Sequence, residues 1–268
     1  MKSLSFLLVL ASVSFVVPSF AKDGLSDGWR EYDYQNFDGA ERIFKEVLND
    51  RATPADQALQ ARIGVAMVVH YRMPGGDPAR ALPLYRAVLD SLPPQHPARP
   101  NLLLLIGRAY AQMKKPMNDS ARVYFEKILA EYPGTIESDE AALEKAYILS
   151  LVQAERDFRA AMRFLEEYCA ASPNNTLAST MHYFCARLSM SLADFPLARA
   201  HLIIADSLGV VNIRNRPVVI YQIAFISDKK LNDPATARKY YRKLIEKYAT
   251  DGRVFYSQMR LKELGDTL

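Results

Sequence analysis

The feature that most constrains this chain is an alanine that recurs along it, followed each time by paired apolar residues at fixed offsets of three, four, seven and eight. Those offsets trace one face of an α-helix. Ala81 is followed by Leu84, Tyr85, Val88 and Leu89, Ala121 by Tyr124, Phe125, Ile128 and Leu129, and Ala237 by Tyr240, Tyr241, Leu244 and Ile245. Copies at Ala40 and Ala161 keep the pattern, and Ala198 opens the weakest one. The six alanines lie 41, 40, 40, 37 and 39 residues apart. Self-similarity at such a period predicts stacked helical hairpins, because one hairpin cannot bury its apolar stripe alone and neighbours must cover it.

Pro93, Pro133 and Pro173 each stand twelve residues after one of these alanines. There the missing N–H and the restriction on the preceding residue end a helix. Upstream of the alanines lies a second apolar helix, as in Ala58 to Tyr71 with Gly64 and Leu102 to Met113 with Gly107 and Tyr110. The predicted unit is therefore helix, turn, helix.

The small residue, aromatic and proline at Ala121, Phe125 and Pro133, with Gly107 and Tyr110 on the preceding helix, resemble the tetratricopeptide repeat signature. The likeness extends over Asp23 to Tyr248, with Phe37, Phe158 and Phe195 matching the aromatic that starts the second helix. The period exceeds the family's ~34 residues. The extra length falls near Met73 to Pro78 and Lys114 to Asp119, and no copy carries the complete first-helix pattern. In this the chain is similar to divergent, longer repeats of exported bacterial envelope proteins. The resemblance implies an all-α, right-handed superhelical solenoid of about six hairpins with a C-terminal capping helix, working as a non-catalytic scaffold for a protein or peptide.

Three segments follow: a signal peptide over 1–21, the repeat array over 22–250, and the cap and tail over 251–268. Lys2, the apolar run Leu4 to Val17 and the small residues around Ala21 fit a cleaved export signal. The run is shorter than the roughly 18 to 20 residues of a spanning helix, and no later segment is long enough to span. No cysteine precedes Cys169, so lipid anchoring is not expected. The expected location is the periplasm or the exterior. In the cap, Phe255, Met259 and Leu261 are expected to face the array, and Trp29 to pack on the first hairpin.

By resemblance, the first helices line the concave wall, and Arg108, Gln112, Gln153, Tyr183, Arg187 and Gln222 are the candidate partner contacts. The fifth copy departs from the pattern. His201 and Asp206 take apolar slots, which predicts a loosened, partly solvated junction up to Pro217, where His201, Arg214 and Arg216 would offer contacts to acidic groups. Cys169 and Cys185, on successive helices of an exported chain, could form a disulfide. His182 lies three residues before Cys185, but with Cys169 this makes only three ligands, and no metal site is expected.

Other functions find little support. A net charge of +4 over 268 residues is too slight for phosphate neutralisation, so nucleic acid is not an expected partner. Glycine is scarce at 11 residues, no glycine-rich loop cradles a phosphate, and no cofactor is expected. Glu137-Ser138 begins like a lytic transglycosylase motif without the rest of it, and Glu137, Asp139 and Glu140 read as acidic residues at a helix start. Asn118 reads as the helix cap before Ala121. Two alternatives remain: a structural subunit docked through its end caps, and an enzyme with an unfamiliar site.

Overall fold

The computed structural model describes residues 24–151, 157–172, 174–210 and 212–266. The expected signal peptide, Gln153 and Pro173 lie outside them. The described residues are all-α, with thirteen α-helices, one 3₁₀ turn and no strand. The chain falls into two compact units, 1–84 and 85–268.

In the first unit, α1 (Gly24–Asp33), α2 (Phe37–Asn49) and α3 (Ala55–Tyr71) pack on one another in turn, and α1 also touches α3. α4 (Pro78–Asp90) begins here. Phe37, Ala40, Phe44, Ala61 and Val68 form its core, with Trp29 and Tyr32 packed against them. Trp29 meets Phe44 edge-to-face at 4.9 Å between ring centroids, which ties α1 onto the first hairpin. Phe44 is clamped: a Cβ on Gly28 would lie 2.6 Å from its ring and one on Gly64 2.5 Å.

The second unit continues the alternation with α5 (Arg99–Ala111), α6 (Asn118–Glu131), α7 (Ile136–Leu151), α8 (Phe158–Ala171), α9 (Ala178–Ser191), α10 (Phe195–Leu208), α11 (Arg216–Lys229), α12 (Pro234–Lys247) and α13 (Val254–Glu263). From α5 on, each helix packs on the next, and α5 also touches α7. Contacts between neighbours and next-neighbours are the packing of a helical-repeat solenoid. One core runs from Ala186 on α9 through Leu202, Ile223, Ala237 and Tyr241 to Leu261 on α13.

The repeated alanines occupy equivalent places. All six are fully inaccessible, and so is the residue four positions on in every copy: Phe44, Tyr85, Phe125, Leu165, Leu202 and Tyr241. The alanine lets the first helix approach closely, and the larger side chain one turn on fills the gap beside it. Where the first helix carries glycine the approach is closest; a Cβ on Gly107 would lie 2.5 Å from the Phe125 ring. The slot eight residues on is more peripheral, being half-buried at Leu48, Leu129, Cys169, Asp206 and Ile245.

A cap four residues before the alanine sets where each second helix starts. Asn36, Asp77, Asp157, Asp194 and Asp233 accept from the backbone N–H three residues on, at 2.9 to 3.2 Å. Such a side chain satisfies one of the helix's orphan donors. The copy at Ala121 differs from its sequence expectation. Its cap position is Met117, which supplies no side-chain bond, and Asn118 is the first helical residue. The recurring acid or amide at this spacing is a signal that the apolar pattern does not reveal.

Candidate functional site

The first helices of the second unit are α5, α7, α9, α11 and α13, and their outward faces change character along the series. On α5, Arg108 is the residue whose type most favours an interaction hot spot. Instead it is drawn into the array. Its Nε donates to Glu144 Oε1 at 2.7 Å and its Nη2 lies 3.2 Å from Glu140 Oε2, both on α7. Burial pushes the Glu140 carboxyl up, and the Arg108 guanidinium opposes that shift. Arg108 thus joins two successive first helices.

The acidic start of α7 likewise does more than complement a helix dipole. Asp139 is buried, accepts from the Tyr168 hydroxyl at 2.8 Å, and accepts from both the backbone N–H and the hydroxyl of Thr176 at 3.0 Å. Ser138 lies 3.0 Å from the same tyrosine hydroxyl. These bonds fasten the turn before α9 to α7. They provide no paired carboxylates around an open cleft of the kind glycoside hydrolysis needs.

Farther along, aromatic and arginine side chains gather. Tyr183 and Arg187 come from α9, Gln222, Tyr221 and Phe225 from α11, and Tyr256 from α13, with Arg253 immediately before that helix; all six side chains other than Gln222 combine an apolar or planar body with partial exposure. Tyr221 stacks with Phe225 at 6.0 Å and meets Tyr256 edge-on at 6.1 Å. Burial pushes the Tyr183 and Tyr221 hydroxyls up, and the Arg253 cation acts on both in the opposite sense. Tyr183 and Tyr221 both pack against the core of the second unit, partly buried. Gln222 is half-buried, and its Oε1 is enclosed without a hydrogen-bond partner among the described residues. Gln112 caps α5 and is half-buried, with no described link to this patch. The structure thus brings together Tyr183 and Arg187 from the sequence-derived set, encloses the Gln222 acceptor, ties Arg108 to α7 instead, and adds Tyr221, Phe225, Arg253 and Tyr256.

Below the patch, Asp228 anchors the cap. Arg260 donates to it through Nε at 2.8 Å and Nη2 at 2.9 Å, and Tyr241 donates its hydroxyl at 3.2 Å. Burial opposes ionisation of Asp228, but these donors hold its carboxyl below the usual range.

The fifth copy is tight, in contrast to the solvated junction expected for it. His201 is buried, which removes it as a contact residue, and its two ring nitrogens face Glu166 and His182. Asp206 pairs with Lys243 of α12 at 2.5 Å, so the peripheral slot accepts a charge because an opposite one reaches it. Arg216 turns back to donate to the Val210 carbonyl at 2.8 Å, and only Arg214 of that trio stands well exposed on the 3₁₀ turn Ile213–Asn215 without such a tie.

The possible bridge between Cys169 and Cys185 is not formed. Both are free thiols. The Cys169 sulfur lies against the Met181 thioether at 3.6 Å and receives the Asn175 amide, while Cys185 is buried on the next helix with its thiol pushed up to about 12 by burial. Among the described residues no three His, Cys, Asp or Glu side chains are placed so that they could hold a metal ion.

The α13 surface also differs from expectation. Leu261 and Ser257 face the array, but Phe255 is 72% exposed and Met259 44%. Val219, Ile223 and Ile226 on α11 and Leu102, Ile106 and Ala109 on α5 mark the inward register at spacings of four and three, which Ser257, Leu261 and Leu264 repeat. Phe255 and Met259 fall outside that register.

Two stretches, residues 102–135 and 219–251, match the tetratricopeptide repeat model, and these are the hairpins α5–α6 and α11–α12. Both hairpins are tetratricopeptide repeats. Among solved structures, the repeat array is similar to pilF of Pseudomonas aeruginosa, at 17% identity and a TM-score of 0.55, covering 88% of this chain and 96% of that one. It is also similar to a thermophilic tetratricopeptide-repeat protein of Thermus thermophilus, at 15% identity and a TM-score of 0.43, covering 90% and 96% of the two chains. At 17% identity the likeness to pilF is one of fold. No curated protein matches the sequence. A fold of this type is a protein-interaction scaffold, and none of the described helices is long and apolar enough to cross a membrane.

Proposed function

We propose that the chain is an exported, non-catalytic scaffold that binds a protein or extended peptide on the first-helix face of its second unit, in the periplasm or outside the cell. The observation that supports this most is the patch of Tyr183, Arg187, Tyr221, Arg253 and Tyr256 on consecutive first helices. Aromatic and arginine side chains dominate binding energy where they are partly desolvated and preorganised, and here packing on the core already restricts them. Export rests on Lys2 and the apolar run before Ala21. Envelope assembly is the role proposed for such a scaffold at that location.

A second reading, docking through the C-terminal cap as part of a larger assembly, is favoured by the outward Phe255 and Met259. One experiment separates the two. The mature chain, a Tyr183→Ala/Arg187→Ala/Tyr256→Ala variant and a Phe255→Ser/Met259→Ser variant, each of verified fold, are used as baits on envelope extract. Loss of one defined partner in the first variant alone supports the groove. Loss in the second alone supports the cap, and retention in both refutes the two sites. Fractionation of cells expressing the full chain tests export directly.

A further inference from the structure

Three successive helices contribute one row of adjoining titratable groups, hydrogen-bonded between the two histidines. Glu166 of α8 lies 3.0 Å from His201 Nε2 on α10, and His201 Nδ1 lies 3.0 Å from His182 Nδ1 on α9. Nε2 of His201 is enclosed and makes no aligned hydrogen bond, but the carboxylate 3.0 Å away favours the tautomer that places the proton on Nε2. Neutral His201 then has a lone pair on Nδ1, and His182 Nδ1–H donates into it. The outer nitrogen of His182, on a half-buried ring, remains basic.

This arrangement accepts one proton and no more. With one imidazolium shared by the pair, a single hydrogen still lies between the two Nδ1 atoms and the cation sits beside Glu166. A second proton places a hydrogen on both Nδ1 atoms across 3.0 Å and puts two cations in rings 5.3 Å apart. That contact cannot persist.

We propose that Glu166, His201 and His182 form an acid-sensitive latch that holds α8, α9 and α10 together when the pair carries at most one proton and releases them when it carries two. Every described charge acting on the rings belongs to the set: Glu166 from α8 acts on both, and His201 acts on His182. The neighbouring thiols, Cys169 of α8 and Cys185 of α9, are pushed up by burial and stay neutral. α11 and α12 turn no described charge toward either ring. Burial is the largest influence on both histidines and holds them below the usual imidazole range, so the latch is closed near neutrality and opens in acid. His182 adjoins Tyr183, and opening therefore displaces a member of the proposed contact patch; only this consequence depends on the reading above.

The test uses the full chain. Imidazole nitrogen NMR from pH 8 to 4.5 should show His182 protonated at Nδ1 and His201 at Nε2 near neutrality, with two separated protonation steps. Independent titration of both rings in the ordinary range overturns the latch. In urea unfolding, lowering the pH from 7.5 to 5 should raise the unfolding constant of wild type about tenfold more than that of a His182→Gln/His201→Gln variant. An equal rise overturns it, as does equimolar Zn²⁺ stabilising wild type but not the variant, which would make the pair metal ligands. Should the variant fail to fold, the wild-type NMR titration decides alone.

Discussion

Gly64→Ala puts the packing logic of the repeats to a quantitative test. The added Cβ would lie 2.5, 2.6 and 2.7 Å from three atoms of the Phe44 ring. The ring has no room to retreat, since the Gly28 backbone presses its other edge and Trp29 covers it at 4.9 Å. Overpacking of this kind costs about 2 to 3 kcal/mol. Replacing a helical glycine by alanine returns about 1 kcal/mol. The net loss is about 1 to 2 kcal/mol, which at a urea slope near 1 kcal/mol/M lowers the midpoint by about 1 to 2 M. The only tryptophan reports it, because Trp29 sits on the affected ring. Emission of Trp29 during urea unfolding should shift by this amount, and Phe44→Leu, which removes the clashing ring atoms, should cancel most of the added cost in a double-mutant cycle. A midpoint that is unchanged or raised in Gly64→Ala would refute the close-approach argument.

Arg108→Ala should cost about 3 kcal/mol at pH 7, because it leaves Glu140 buried beside Glu144 without its cation. The Glu140 carboxyl is already raised in the folded state, and a raised group contributes stability at low pH that is lost as pH rises through its folded value; removing Arg108 raises it further, so the deficit should shrink on acidification through the carboxylate range, as read by urea midpoints at several pH values. Leu261→Ala should lose about 2 to 4 kcal/mol by opening a cavity under α13, whereas Phe255→Ser/Met259→Ser should change stability by less than about 0.5 kcal/mol, in a thermal-melt comparison. Thiol labelling of the native chain without reductant should modify Cys169 slowly and Cys185 only on unfolding, and dithiothreitol should leave the melting temperature unchanged; a drop would reveal a bridge.

What the sequence determined by itself is what repeats locally. A helix must show a core-facing stripe at 3.6-residue spacing, so the six alanines and their apolar followers expose the hairpins and their register, and Gly64 and Gly107 mark where helices approach most closely. The acid or amide four residues before five of those alanines was equally available, since capping is also a local demand. Tertiary structure alone decided which polar side chains are consumed inside the array. Arg108 reads as a surface hot spot until Glu140 and Glu144 are brought to it from another helix, and His201 reads as a solvated defect until Glu166 and His182 enclose it. Phe255 and Met259, four residues apart, share one helical face and so read as cap packing, but Leu261, six and two residues from them, lies on another, and the packing of α13 on α12 selects the face through Ser257 and Leu261. Periodicity fixes which residues share a face; the neighbour that covers the face, and the charge it brings, come from parts of the chain about thirty residues away that no local pattern specifies.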